Sequence, residues 1–577
     1  MIDLSAKPFY LKPTDEEWVY QTIDQMSLDE KLGQLFIDHS EGDYEDEYVK
    51  KRLKKTMAGG LRYVNLPAEE MKEHNLCYQK YTKIPLLIAS NTEAGGNGAL
   101  KGGTQVGCEA KIAATGEEYY AYQLGLIGAR EAKAVGCNWA FMPIVDLSLN
   151  WRNPIISTRT WGDQTDLVIK LSRACLKGLH EGGVAATAKH FPGDGVDERD
   201  HHYSSTVNTL SVKEWDASYG KIYKAMIEDG TEAIMAGHIM LPAYQKALNP
   251  ETKENEYMPA SMCEELLTGL LRKKLQFNGL IVTDASHMVG FSSRMSRKNG
   301  LVTAINAGCD MILFYNDPEE DLAYMKEAVA EGTLSIERID EALTRILALK
   351  ASVGLHKNFD FTKEAGDSSV IGCKEHKQIA EEVSSKAITL AKQVGKSLLP
   401  ITPEKYRRIM IMPVNTNTPE FAKLVGALGG TEQLADDLKE KLEQRGFEVT
   451  IFESPLKKAN GRSAYDYKES IEKFKNTYDL VLTIANCGSF GVTQRLNWDT
   501  PKGGFEIPWY VYEVPVIFIS FNSPFHLADV PEVKTMINCY DAQPSTLAAL
   551  VDKLTGRTEF MGKSPVDVYC GFLDTHL

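Results

Sequence analysis

The sequence predicts a TIM-type (β/α)8 barrel followed by a second α/β domain, and three observations predict it. Up to about residue 355, short apolar runs alternate with amphipathic helical stretches, the pattern of a parallel sheet covered by helices. Each run is rich in residues that suit a strand buried on both faces. No Gly-x-Gly-x-x-Gly follows the first run, which favours a closed barrel over a doubly wound sheet. A chain of 577 residues also exceeds one ordinary core, so two domains are expected.

Taken in order, the barrel strands are read in "GGLRYVNL", "IPLLIAS", "NWAFMPIVDL", "GGVAATAKHF", "TEAIMAGHIML", "GLIVTDAS" and "DMILFYN". Between them lie helix-start signals: Ser27 with Glu30, Ser211 with Glu214 and Ser261 with Glu264 each form a Ser-x-x-Glu pair that can satisfy orphan N–H groups reciprocally. After "LALKASVGLHKN" the pattern breaks into the polar segment "FDFTKEAGDSSVIGCKEHK", and a helix is expected over about 376–393. Further strands follow in "RRIMIMPV", "FEVTIFE", "DLVLTIAN" and "VPVIFISF". The expected division is a barrel over 1–354, a linker and connecting helix over 355–397, and a second α/β domain over 398–577.

Composition narrows the function classes. A formal net charge of -15 without a clustered basic face argues against binding a phosphate backbone. No apolar run approaches the roughly 20 residues that span a bilayer, and the N-terminus carries no secretory pattern. The 10 cysteines are scattered singly without a CxxC pair, as in reduced thiols, so a cytoplasmic protein is expected.

Polar residues repeatedly follow the apolar cores: Asn91, Thr92 and Glu93, then Asp146, Lys189 with His190, His238, and Asp284. In a barrel of this kind the C-terminal strand ends form the working face, so these positions predict one polar pocket. The densest stretch, "AKHFPGDGVDERDHHYSST" (188–206), is either a solvated loop or part of that site. Adjacent histidines do not easily ligate one zinc from a regular helix face, and no His-x-x-x-His or cysteine set accompanies them. No metal and no cofactor are therefore expected.

The motifs "SLDEKLGQLFI", "KHFPGDG", "MAGHIMLPA", "PASMCEELLTGLLRKKLQFNGLIVTDASHM" and "AINAGCDMILF" occur in an order that resembles glycoside hydrolase family 3, nearest its β-N-acetylglucosaminidase branch. The likeness extends into the second domain through "VPVIFISFNSPFHLADVPEVKTMINCYDAQPS", and it implies a catalytic barrel over 1–354 followed by an α/β sandwich over 398–577. It implies a retaining exo-β-N-acetylglucosaminidase acting on a small carbohydrate, such as a cell-wall or chitin-type fragment, as a monomer or homodimer without nucleic-acid or membrane partners. Asp284 matches the family nucleophile, which forms a covalent glycosyl-enzyme that water resolves. His202, with Asp200 two residues before it, matches the acid/base dyad of that branch. An imidazole titrating near neutrality can act as acid and then base. Lys189, His190, Arg159, His238 and Met288 match sugar-binding positions.

Three departures from the pattern stand out. Asp194 replaces a histidine in "KHFPGDG", and His201 replaces a serine in the aspartate-serine-histidine triplet, which leaves His201 as a rival to His202. The loop "NTEAGGNG" replaces an aspartate-bearing one, so Asn91 or Glu93 must stand in. Because a neutral imidazole base does not repel an anion, phosphorolysis stands beside hydrolysis. A β-glucosidase of the same family and a non-catalytic sugar-binding protein are rival readings. The segment "CGSFGVTQRLNW" holds groups suited to a sugar.

Overall fold

The computed structural model describes residues 2–357, 367–414, 431–453, 470–487, 495, 496, 498 and 507–571. The chain divides into two compact units: Met1–Val106, Glu118–Leu147 and Gln164–Lys377 form the first, while Gly107–Glu117, Ser148–Asp163 and Gln378–Leu577 form the second.

The first unit is a closed barrel of eight parallel strands: β1 (Phe36–Ser40), β2 (Gly60–Tyr63), β3 (Leu87–Ser90), β4 (Trp139–Ala140), β5 (Ala185–Phe191), β6 (Ala233–Ala236), β7 (Leu280–Ala285) and β8 (Met311–Leu313). Each pairs with its sequence neighbours, and β8 closes on β1 through Phe36–Ile312 and Ile37–Leu313. Strands of such a barrel are covered by side chains inside and helices outside, which is why β5 and β7 are buried at every position. The core is built by Leu87, Trp139, Phe141, Ala185, Met235, Leu280 and Val282 from the strands, with Leu343, Ile346 and Leu347 from the helix Ile336–Ser352.

The second unit holds a six-stranded sheet. Its strands are β9 (Thr389–Gln393), β10 (Arg408–Val414), β11 (Glu448–Ile451), β12 (Leu480–Ala485), β13 (Val516–Ser520) and β14 (Thr535–Asn538). The order is β9-β14-β13-β12-β10-β11, antiparallel only at β9–β14. Alternate residues of β12 feed two cores: Leu480, Leu482 and Ile484 pack on one, Val481 and Ala485 on the other. That alternation is what a sheet sandwiched between helical layers requires. Segment 107–117 belongs here because Lys111, fully buried, donates to Asp541 at 2.8 Å, Thr546 at 2.8 Å and Ser384 at 2.9 Å.

Three expectations are corrected. The first barrel strand, β1, was not foreseen, because "FIDHS" follows the helix Leu28–Gln34 with no turn signal between them. The helix expected over 376–393 ends at Ala387, and Thr389–Gln393 is strand β9 instead. The pairs at Ser27 and Ser211 do cap helices, but the hydroxyl of Ser261 turns away to the His238 ring at 2.9 Å, and the following helix starts at Glu265.

Candidate active site

Two barrel strands lose their regular register where the polar residues sit. Between β5 and β6 the pairing slips after Ala188 and resumes at Phe191, so Lys189 and His190 fall in the irregularity. Between β7 and β8 it slips between Val282 and Ala285, which spans Asp284. Such bulges re-aim side chains that a regular strand would send outward.

At Asp284 the two carboxylate oxygens have different surroundings. Oδ1 accepts from the Ala285 N–H at 2.6 Å, which fixes the group. Oδ2 faces His201 Nε2 at 3.7 Å and His190 Nε2 at 4.0 Å, both too long for hydrogen bonds. Burial alone would push the carboxyl up, but the His201, His190, His238 and His202 imidazoles hold it well below the usual carboxylate range, so it is ionised near neutral pH. An ionised, fixed and partly open carboxylate can attack an electrophilic carbon.

The charged loop after β5 sorts into three pairs. Asp197 and Arg199 form an outer pin at 2.6 Å, and Asp197 also accepts the Val207 N–H at 2.8 Å. Asp200 accepts from His202 Nδ1 at 2.6 Å and from its backbone N–H at 2.9 Å. The His202 side chain keeps 37 % of its surface open, whereas Asp200 is buried. His201 is the reverse case: fully buried, with neither ring nitrogen hydrogen-bonded, and pushed well below an ordinary histidine by burial. Of the two candidates, then, His202 has the oriented tautomer and the access that proton transfer to a leaving group needs.

The two departures at Asp194 and His201 face each other, Oδ2 to Nε2, at 3.8 Å. Gly193 lets the chain turn between β5 and this loop: at φ 121° it also lies so near the Tyr219 ring that a Cβ would come within 2.2 Å of it. The loop is backed by the turn after β7. Val289 N–H donates to the His202 carbonyl at 3.0 Å, and a Cβ on Gly290 would meet the His201 carbonyl at 2.5 Å.

The other predicted residues separate by environment. Lys189, buried, pairs with Glu93 at 2.5 Å, while Asn91 is exposed. His238 is committed inside the protein: Nε2 donates to the Ala285 carbonyl at 3.0 Å and Nδ1 meets the Ser261 hydroxyl. It thus braces the residue that holds Asp284. Met288 is buried in the barrel core cluster. Arg159, also buried, belongs to the second unit, where its Nη1 lies 3.5 Å from the Ile155 carbonyl. Most of "CGSFGVTQRLNW" (488–494 and 497) lies outside the described residues.

Asp146 is more central than its place after "MPIV" suggested. Completely buried, it accepts from His190 Nδ1 at 2.7 Å, from the His190 N–H at 3.2 Å and from the Asp194 N–H at 2.8 Å. It therefore fixes both the strand end and the tautomer of His190. An aspartate closing the apolar run "NWAFMPIV" is the signal that could have found this role.

Residues 27–349 match the description "Glycosyl hydrolase family 3 N terminal domain". The chain is 40% identical, over 100% of each sequence, to a Cellulomonas fimi protein named "Beta-N-acetylglucosaminidase/beta-glucosidase". It is similar to a solved structure named "Beta-glucoside phosphorylase BglX" with TM-score 0.90 and 40% identity, covering 99% of each chain. A family 3 β-N-acetylglucosaminidase from Paenibacillus sp. str. FPU-7 aligns with TM-score 0.78 and 26% identity over 95% of this chain and 100% of that one. Among the described residues no helix is long and apolar enough to cross a membrane.

Proposed function

From the premise that the chain belongs to glycosyl hydrolase family 3, we propose that it is a retaining exo-acting enzyme that removes terminal β-linked N-acetylglucosamine from small glycosides. The observation that carries this reading is the Asp200–His202 pair, 2.6 Å long and half open, beside an ionised Asp284. Asp284 attacks the anomeric carbon as the bond to the leaving oxygen breaks, and the His202 imidazolium gives that oxygen its proton. The neutral His202 then takes a proton from water, which displaces Asp284 and frees the sugar. Asp200 holds the ring with Nδ1 protonated, leaving Nε2 for the transfer.

Lys189, His190, Glu93, Asn91 and Met288 are assigned to the glycone subsite and Arg159 to sugar binding, with His238 holding the Asp284 backbone in place. Ten cysteines with no disulfide among them support a reducing compartment, and hence cytoplasmic turnover of cell-wall or chitin-type fragments.

A second reading is favoured by the relatives. The structure that aligns over 99% of the chain is named a β-glucoside phosphorylase, and the C. fimi name includes β-glucosidase. A neutral imidazole does not repel phosphate as a carboxylate base would. The test is release of nitrophenol from the β-N-acetylglucosaminide and the β-glucoside, with and without phosphate, with products followed by phosphorus NMR. Preference for the acetamido sugar and a free-sugar product support the first reading; a sugar 1-phosphate product replaces hydrolysis with phosphorolysis. Strong preference for glucose overturns the glycone assignment.

A further inference from the structure

The proposed mechanism leaves His201 without a task. An imidazole that is fully buried with both ring nitrogens unpartnered forfeits about 1–3 kcal/mol per group. Its Nε2 is aimed at Asp284 Oδ2, as is the Nε2 of His190. Asp146 takes Nδ1 of His190, which leaves Nε2 as the ring atom that faces Asp284. Two ring nitrogens and a carboxylate oxygen thus converge on one spot.

We propose that His190 Nε2, His201 Nε2 and Asp284 Oδ2 form a binding site for one divalent transition-metal ion, zinc fitting best, in competition with the glycone. The three atoms lie within 4.8 Å of one another. The separations to Asp284 are 3.7 and 4.0 Å, against about 3.4 Å for the edge of a tetrahedral zinc site with ligands near 2.1 Å. Side-chain shifts of a few tenths of an ångström close those two edges. The Asp146–His190 pair supplies the carboxylate-to-histidine relay that orients metal-bound imidazoles. Asp194, 3.8 Å from His201, provides a second negative charge, so that two carboxylates balance the ion. Entry is from the mouth, where the Asp284 side chain keeps 13% of its surface open. Two nitrogens and one oxygen select zinc, copper or nickel over magnesium or calcium. Spacing along the chain conceals the site, since its ligands come from β5, the loop after it and β7.

Binding does not depend on the proposed glycosidase function; only its inhibitory effect rests on Asp284 being the nucleophile. The experiment is calorimetric titration of the chelator-stripped full chain with zinc. One ion per chain is expected, with binding weakened at least tenfold in His201→Ser and in Asp284→Asn and unchanged in His202→Ala. Cobalt bound to the unaltered protein should show the visible absorption of a four-coordinate ion, which frees the test from the folding of any variant. In kinetics, zinc should raise KM for the aryl glycoside and leave kcat alone. The proposal is overturned if no saturable site appears up to millimolar zinc, if cobalt shows only six-coordinate spectra, or if His202→Ala weakens binding as much as His201→Ser. That last result would give the ion to Asp200, His201 and His202, the second cluster with close ligand atoms.

Discussion

The dyad makes a prediction whose size the structure sets. In Asp200→Asn the amide oxygen can still accept both the His202 backbone N–H and Nδ1–H, which one oxygen accepts in the parent, so the loop keeps its shape, but the negative charge that strengthens the Nδ1 bond and stabilises the imidazolium is lost. Such bonds contribute about 1.5–3 kcal/mol. Because the His202 side chain is 37 % open, the lower half of that range applies. About 1.5–2 kcal/mol corresponds to a loss of about 10–30-fold in kcat/KM. His202→Ala removes the proton donor itself and should cost about 10²–10⁴-fold on alkyl glycosides, whose leaving groups need a proton, and far less on dinitrophenyl glycosides. The assay is a plot of log kcat/KM against leaving-group pKa for the parent and both variants, which should steepen in the order parent, Asp200→Asn, His202→Ala. Equal losses across all leaving groups would refute an acid role for His202. A steep plot for His201→Ala with a flat one for His202→Ala would move the acid to the buried ring.

Asp284→Ala should reduce turnover of every substrate by at least about 10³-fold, more than 4 kcal/mol of barrier, with the circular dichroism unchanged; substantial residual activity would dismiss it as the nucleophile. A third expectation concerns stability and pH. Lys350 is completely buried with its ammonium on Gln34 Oε1 at 2.6 Å, and burial pushes it down to about 7. The unfolded chain binds a proton there up to about pH 10.4 that the fold half rejects at neutrality, so stability rises with pH across this window. The penalty is about 4 kcal/mol at pH 7 and about 2 kcal/mol at pH 9. Lys350→Met removes it, less about 1–3 kcal/mol for the unpaired Gln34 oxygen. In denaturant titrations the advantage of the variant over the parent should shrink by about 2 kcal/mol between pH 7 and 9; a constant gap would mean that Lys350 is charged in the fold.

Much of the architecture was legible because strands buried on both faces leave unbroken apolar runs, as "VAATA" and "LIVT" do. Strand β1 was hidden since nothing separates it from the preceding helix, and β9 since "TLAKQ" continues a helical pattern. The Asp200–His202 contact is local, two residues apart, and the family resemblance implied the pairing. What His201 does could not, because neighbours in sequence differ here in burial: His202 turns outward while His201 points into the barrel beside Asp284. Likewise the Lys189–Glu93 contact spans 96 residues and has no local signal in the sequence.

The backing of the charged loop by Val289 and Gly290 bears on attempts to redesign leaving-group preference. The turn that follows Asp284 and the peptide that carries His202 share a hydrogen bond and a gap too narrow for one methyl group. A library that grafts residues 196–205 from another scaffold while keeping this turn will produce mostly mismatched partners. The transferable cassette is the loop together with residues 286–293, exchanged as one piece.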